Sequence, residues 1–114
     1  MDTSCIFCQI EQGDIASDLV YRDKLIFVVR DVSPKAVVHI LLIPVKHVIS
    51  LSELYNVDLG FEKHLFSVAA SMSKQMGVDG SGYRLVLTQG PDSGQQIDHL
   101  HFHLLGGNQL SDIG

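Results

Sequence analysis

His99-Leu100-His101-Phe102-His103-Leu104-Leu105 is the stretch on which the reading of this chain turns. In extended backbone successive side chains point to opposite faces, so the three imidazoles share one face and Leu100, Phe102 and Leu104 share the other. A chance His-x-His-x-His at this histidine content arises in roughly one or two chains in a hundred. The buried-looking Leu/Phe partner face and the stop at Gly106-Gly107 argue for an anchored interior strand, not a solvated edge carrying surplus histidines. The row reads as a site.

Working outward, the same alternation and its absence divide the rest of the chain. Gln89-Gly90-Pro91-Asp92-Ser93-Gly94 is a loop, and Tyr83–Leu87 before it is a strand, so a short connection predicts an antiparallel pair. Further upstream, Asn56–Met76 reads as one long helix, with Phe61, Leu65, Val68, Met72 and Met76 forming an apolar stripe that Gly77 ends. His64 lies off that stripe and is read as solvated. Val37–Val45 is a buried strand ending near Pro44, and Asp31-Val32-Ser33-Pro34 is the turn before it. Leu25–Val29 is a strand, Leu19-Val20-Tyr21 a short extended piece, and Cys5–Gln12 a short helix ended near Gly13. The sum is an α+β domain: a mainly antiparallel sheet of about five strands, one long helix and a short N-terminal helix.

Composition sets the outer bounds. The chain has 114 residues, 8 Lys+Arg against 13 Asp+Glu, six His and two Cys, and 46% of it is hydrophobic. That size fits one domain spanning residues 1–114, and no linker, repeat or charge block divides it. The net charge of −5 excludes a general nucleic-acid binder, which needs a basic surface. No run approaches the roughly 18 apolar residues of a membrane span. Met1-Asp2-Thr3-Ser4-Cys5 shows no basic segment followed by an apolar stretch, so the expected location is the cytoplasm.

Near neutral pH an imidazole can be a nucleophile, a general base or a metal ligand. Three on one face could hold a catalytic zinc with an open position for water. Alternatively, one could attack phosphorus while its neighbours donate to the phosphate oxygens. The glycine-bearing loop just before the row favours phosphate, because backbone N–H groups around Gly94, Gln95 and Ile97 can cradle an anion. Cys5-Ile6-Phe7-Cys8 is the second feature. It reads as half of a tetrahedral zinc site, or as two ordinary semi-buried thiols; a redox pair would want a βαβ context that is missing. His39, inside an apolar run, needs a partner wherever it is buried.

The segment His99–Leu105 resembles the signature of the histidine triad (HIT) superfamily, His-φ-His-φ-His-φ-φ with φ apolar, and the likeness extends over nearly the whole chain. Cys5-Ile6-Phe7-Cys8-Gln9-Ile10 is similar to the family's opening, Asp31-Val32-Ser33-Pro34 to its strand-end turn, and Val38–His47 to its central strand. Gly82-Tyr83-Arg84 and Gly94-Gln95 are similar to the nucleotide-binding, phosphoramidase-like branch. The resemblance implies a HIT-like fold and a purine nucleotide hydrolase or transferase that cleaves at the α-phosphate of nucleoside 5′-phosphoramidates or related nucleotides. It implies His101 as nucleophile, forming a nucleotidyl-histidine intermediate, with His103 and His39 on the phosphate oxygens. It further implies that Asp31 takes the ribose hydroxyls and that Ile6, Phe7, Ile10, Val29 and Val32 line the base slot. Gly94, Gln95, Gln96, Ile97 and Thr88 complete the nucleotide-binding set. A structural zinc on Cys5, Cys8, His47 and His99, and a homodimer, are implied as well, with no cofactor for the chemical step. Thr88 departs from the Asn common in this branch, Gln96 from a small hydroxyl residue, and the tail after Gly107 is short and lacks Trp. These departures keep a non-catalytic mononucleotide-binding module and a dinucleoside polyphosphate hydrolase as the other readings.

Overall fold

The computed structural model describes residues 5–113. Helix α1 (Ile6–Glu11) is only six residues long, too short to be stable alone, and it docks by burying Phe7 and Cys8. Cys5 caps it, its Sγ accepting the Cys8 N–H at 3.5 Å, and Gly13 ends the turn at φ +83°. Strands β1 (Leu19–Arg22), β2 (Ile26–Arg30) and β3 (Val38–Pro44) form an antiparallel meander. After two helices the chain returns as β4 (Tyr83–Leu87) at the far edge, and β5 (Phe102–Gly106) then inserts between β3 and β4. The order is β1-β2-β3-β5-β4. Every neighbouring pair is antiparallel, in line with the mainly antiparallel sheet expected from the sequence.

Both faces of the middle strands are buried, which is why β2 and β3 read as continuous apolar runs. Ile26, Val28, Ile40, Leu42, Leu100, Phe102 and Leu104 pack on the helical side. Phe27, Val29, Leu41 and Ile43 pack on the other, under Cys5, Phe7 and Cys8 of the α1 region. The predicted alternation of the histidine row holds: its Leu/Phe face lies in the first cluster and its imidazoles lie on the second side.

Three expectations need correction. The predicted single helix over Asn56–Met76 is two helices, α2 (Leu51–Val57) and α3 (Phe61–Gln75). Gly60 breaks the run by taking φ +92°, a left-handed conformation natural to glycine. Ser50 starts α2, its Oγ accepting the Glu53 N–H at 3.1 Å, so the Ser-x-x-Glu capping signature was present to be read. The stripe on α3 is as predicted, with Phe61, Leu65, Val68 and Met72 buried.

Secondly, β5 starts at Phe102 and not at His99. The His99 N–H donates to Ile97 O at 2.9 Å and the Leu100 N–H to Val48 O at 2.7 Å, so the first half of the histidine row spends its backbone outside the ladder.

Thirdly, His64 is tied down. Its Nε2 donates to Asp23 Oδ2 at 2.7 Å because the first turn of α3 sits over the β1–β2 turn. Asp23 also accepts from Tyr21 Oη (2.6 Å) and from the N–H groups of Leu25 and Ile26. Burial opposes its ionisation, yet these donors outweigh burial and hold the carboxyl down at about 2.

Candidate active site

The site is assembled from strand ends and loops on the α1 side of the sheet. Register places Leu41 opposite His103 and His39 opposite Leu105, so His39 and His103 lie diagonally across neighbouring strands. The His101 and His103 rings are 5.1 Å apart, centroid to centroid. His99 is fully buried, His39 and His101 nearly so, and His103 is half-buried.

Backbone groups fix which nitrogen of each ring carries hydrogen. His101 Nδ1 lies 2.7 Å from the carbonyl of His99. A carbonyl only accepts, so Nδ1 is the protonated nitrogen and Nε2 of the neutral ring keeps its lone pair. The opposite holds at His39, whose Nδ1 accepts the Lys35 backbone N–H at 3.0 Å. Neutral His39 therefore carries hydrogen on Nε2, 2.9 Å from His103 Nδ1 and 3.4 Å from Asp31 Oδ2. His103 accepts on Nδ1 and keeps Nε2–H as a donor. Burial, helped by the neighbouring His101 and His39 and opposed by Asp31, lowers the His103 pKa to about 4. Burial also lowers that of His39, against the pull of Asp31. At neutral pH His103 is an uncharged donor beside a ring with a free lone pair.

Among the described residues, two groups of side chains have metal-ligand spacing, Asp31/His39/His103 and Cys5/Cys8/His47/His99. The first does not suit a metal. Ligation at His39 Nε2 would move its hydrogen to Nδ1, against the Lys35 N–H, so this group is a hydrogen-bonded chain. The second suits one well. His99 Nε2 donates to Pro44 O at 2.8 Å, leaving the Nδ1 lone pair facing Cys5 Sγ (3.3 Å) and Cys8 Sγ (3.6 Å). His47 Nδ1 is 3.2 Å from Cys8 Sγ. Two buried thiols and two imidazole nitrogens, all within 4.8 Å, form the donor set of a closed tetrahedral zinc site, and the carbonyl on His99 supplies its outer-shell support. Burial lowers the His99 pKa to about 4, which also favours the unprotonated, ligating ring.

The remaining predicted residues fall in different places. Asp31 uses Oδ1 to accept the Ser33 N–H at 2.8 Å, so Oδ2 alone faces His39. Gln95 spends its side chain inside the loop: Oε1 accepts the Gly90 N–H at 2.7 Å and Nε2 donates to Ile97 O at 2.9 Å. That leaves its backbone N–H and the second N–H of Nε2 as donors for a ligand. Gly94 takes φ +88°, and Gln96 is exposed while Thr88 is half-buried. Of the apolar set, Phe7 and Val29 are buried, Ile10 and Ile97 pack against them in part, Ile6 is exposed and Val32 stands entirely in solvent. Sequence reasoning missed the Lys35 N–H and the Pro44 carbonyl, which as backbone groups leave no residue-type signal. It also missed that the Phe7 ring sits edge-on to His99 and His101.

The family model for the HIT domain matches residues 12–110. This chain belongs to the HIT family. It is similar to the purine nucleoside phosphoramidase of Escherichia coli, 39% identical over 116 residues that cover 99% of this chain and 95% of the relative. An uncharacterised HIT-like protein of Buchnera aphidicola is 37% identical, with 99% of each chain covered. Among solved structures, a histidine triad protein from Clostridium difficile superposes with TM-score 0.92 at 35% identity, covering 100% of this chain and 99% of that one. A HIT family hydrolase from Legionella pneumophila gives 0.88 at 36% identity, covering 94% and 96%. The α+β architecture with its five-stranded antiparallel sheet is thus the HIT fold.

Proposed function

We propose that this HIT protein is a purine nucleotide hydrolase that cleaves nucleoside 5′-phosphoramidates through His101. The observation that carries the reading is the His101 Nδ1–His99 carbonyl bond at 2.7 Å, which leaves Nε2 as a nucleophile beside the uncharged donor His103. Nε2 attacks the α-phosphorus, the P–N bond to the leaving amine breaks, and that nitrogen takes a proton from solvent, which the water that attacks in the second step returns. Water then attacks the same phosphorus, the bond to His101 breaks, and the nucleoside monophosphate leaves. His103 Nε2–H and the backbone N–H groups around Gly94 and Gln95 stabilise charge on the phosphoryl oxygens, and His39 holds His103 in the donating tautomer. Asp31 Oδ2 accepts from the ribose hydroxyls, with the base against the apolar residues near Ile10 and Ile97. The resemblance to the phosphoramidase of Escherichia coli supports the substrate class.

Zinc on Cys5, Cys8, His47 and His99 would join α1 to the β3 end and supply folding free energy. The chemical step runs on imidazoles and needs no metal. A homodimer fits the apolar groove of about 700 Å³ between α2 and α3, where Tyr55 and Phe66 are exposed on the sheet face opposite the histidines. Incubation with adenosine 5′-phosphoramidate, followed by acid-free trapping and mass spectrometry, tests the reading. A nucleotidyl adduct on His101 and release of AMP are expected; full turnover by His101→Ala would overturn it.

A further inference from the structure

We propose that Asp31 couples recognition of the sugar to the phosphate donor: its Oδ2 competes with His103 Nδ1 for the one hydrogen on His39 Nε2, and ribose hydroxyls on that carboxylate hand the hydrogen to His103. This rests on the reading of Asp31 as the ribose contact. His39 Nε2 lies 2.9 Å from His103 Nδ1 and 3.4 Å from Asp31 Oδ2. One N–H cannot serve both acceptors at full strength. Distance favours His103, whereas charge favours the carboxylate, because an ionised acceptor makes the stronger bond. The His39 ring cannot turn to offer a second hydrogen, since its Nδ1 accepts the Lys35 N–H at 3.0 Å.

The carboxylate has little freedom to back away. Its Oδ1 accepts the Ser33 N–H at 2.8 Å, and the Asp31 N–H donates to the His39 carbonyl at 3.0 Å, so main chain as well as side chain ties the two residues together. His39 is buried, and solvent screens the competition little. A carboxylate without its diol draws the His39 hydrogen aside. His103 Nδ1, short of a donor, then carries the ring hydrogen part of the time, and Nε2 has none to give a phosphoryl oxygen. Two ribose hydroxyls donating to Asp31 meet the demand of the carboxylate and fix the His103 hydrogen on Nε2. Asp31 is thereby a positioning residue, acting on the phosphoryl group through His39 and His103. A nucleotide with its diol completes its own phosphate site, so sugar discrimination falls on kcat as well as on KM.

The test has a spectroscopic arm and a kinetic one. In ring ¹⁵N spectra of the wild type, His103 is expected to show both tautomers when free and with 2′,3′-dideoxyadenosine, and Nε2–H alone with adenosine. One tautomer pattern in all three states would overturn the proposal. Calorimetric titration of the two nucleosides keeps the failures apart. Equal Kd values would sink Asp31 as the ribose contact and the proposal with it; unequal values with an unchanged tautomer would sink the coupling alone. In kinetics, 2′,3′-dideoxyadenosine 5′-phosphoramidate is expected to lose about tenfold in kcat against the ribose substrate. Asp31→Asn keeps an oxygen for the Ser33 N–H and removes the competing acceptor. It should raise KM for the ribose substrate, hold its kcat within about twofold, and restore the roughly tenfold loss of kcat on the dideoxy substrate. A change of kcat by the same factor on both substrates, or a dideoxy penalty confined to KM, overturns the coupling. The spectra need no turnover, so a wild type that hydrolyses neither substrate would sink the hydrolase reading and leave the spectroscopic arm to decide.

Discussion

Nε2 of His39 lies 2.9 Å from Nδ1 of His103, joining side chains 64 residues apart on adjacent strands. The direction of that bond is dictated by a main-chain group, the N–H of Lys35, on the far side of the His39 ring. Replacing His39 by Phe keeps a ring on β3 but leaves His103 free to hold either tautomer. Loss of a positioned donor predicts a fall in kcat of about ten- to a hundredfold with a smaller change in KM, measured by steady-state kinetics. An unchanged kcat would remove His39 from the mechanism.

Replacing His101 by Ala is expected to lower turnover by on the order of a thousandfold or more and to abolish the covalent adduct, while nucleoside monophosphate still binds. Rapid quench for the first and calorimetric titration for the second separate chemistry from binding.

Cys8→Ser is expected to lose zinc and to destabilise the chain by about 3 kcal/mol or more, since an exchanged ligand opens a site whose binding energy is folding energy. Metal content by atomic emission and a thermal melt before and after chelation check it. Equal melting temperatures for loaded and stripped wild type would show that the group holds no structural metal.

Asp23 makes stability depend on acid. Its folded pKa of about 2 lies below the ordinary 3.8, so it contributes stability above about pH 4 that is lost as pH falls toward 2. Its partial exposure limits the contribution to about 1–2 kcal/mol. Asp23→Asn should flatten the pH dependence of urea unfolding between about pH 2 and 4.

Gly60→Ala is expected to cost about 1 kcal/mol through backbone strain alone. φ is +92° there, and nothing lies within 4 Å of where a Cβ would stand. A melt unchanged by the substitution would mean that the α2–α3 junction relaxes freely.

The sheet was legible because β2 and β3 are buried on both faces, and before the exposed Arg30 that ends β2 only His39 interrupts their apolar pattern. Gly60 hid because an apolar stripe extrapolates smoothly past a residue whose φ no periodicity reports. The side-chain members of the site were legible too, since imidazole and thiol are rare enough for their spacing to carry meaning. Their roles were less so: the groups that assign hydrogen to each ring are the N–H of Lys35 and the carbonyls of Pro44 and His99, and a main-chain atom looks the same in every residue. His64 was misread for a related reason, as its partner Asp23 lies on a turn 41 residues away.

The insertion of β5 between β3 and β4 bears on how the molecule is made. On a ribosome the meander, α2, α3 and β4 emerge before the strand that joins them, and until then β3 exposes a row of unpaired main-chain groups. His99, His101 and His103 arrive with that joining strand. Thiols of Cys5 and Cys8, made first, wait 91 residues or more for His99, their common imidazole partner. Closing the sheet and completing both clusters are therefore one late event, and a nascent chain stalled before residue 99 would carry a sticky edge and no chemistry.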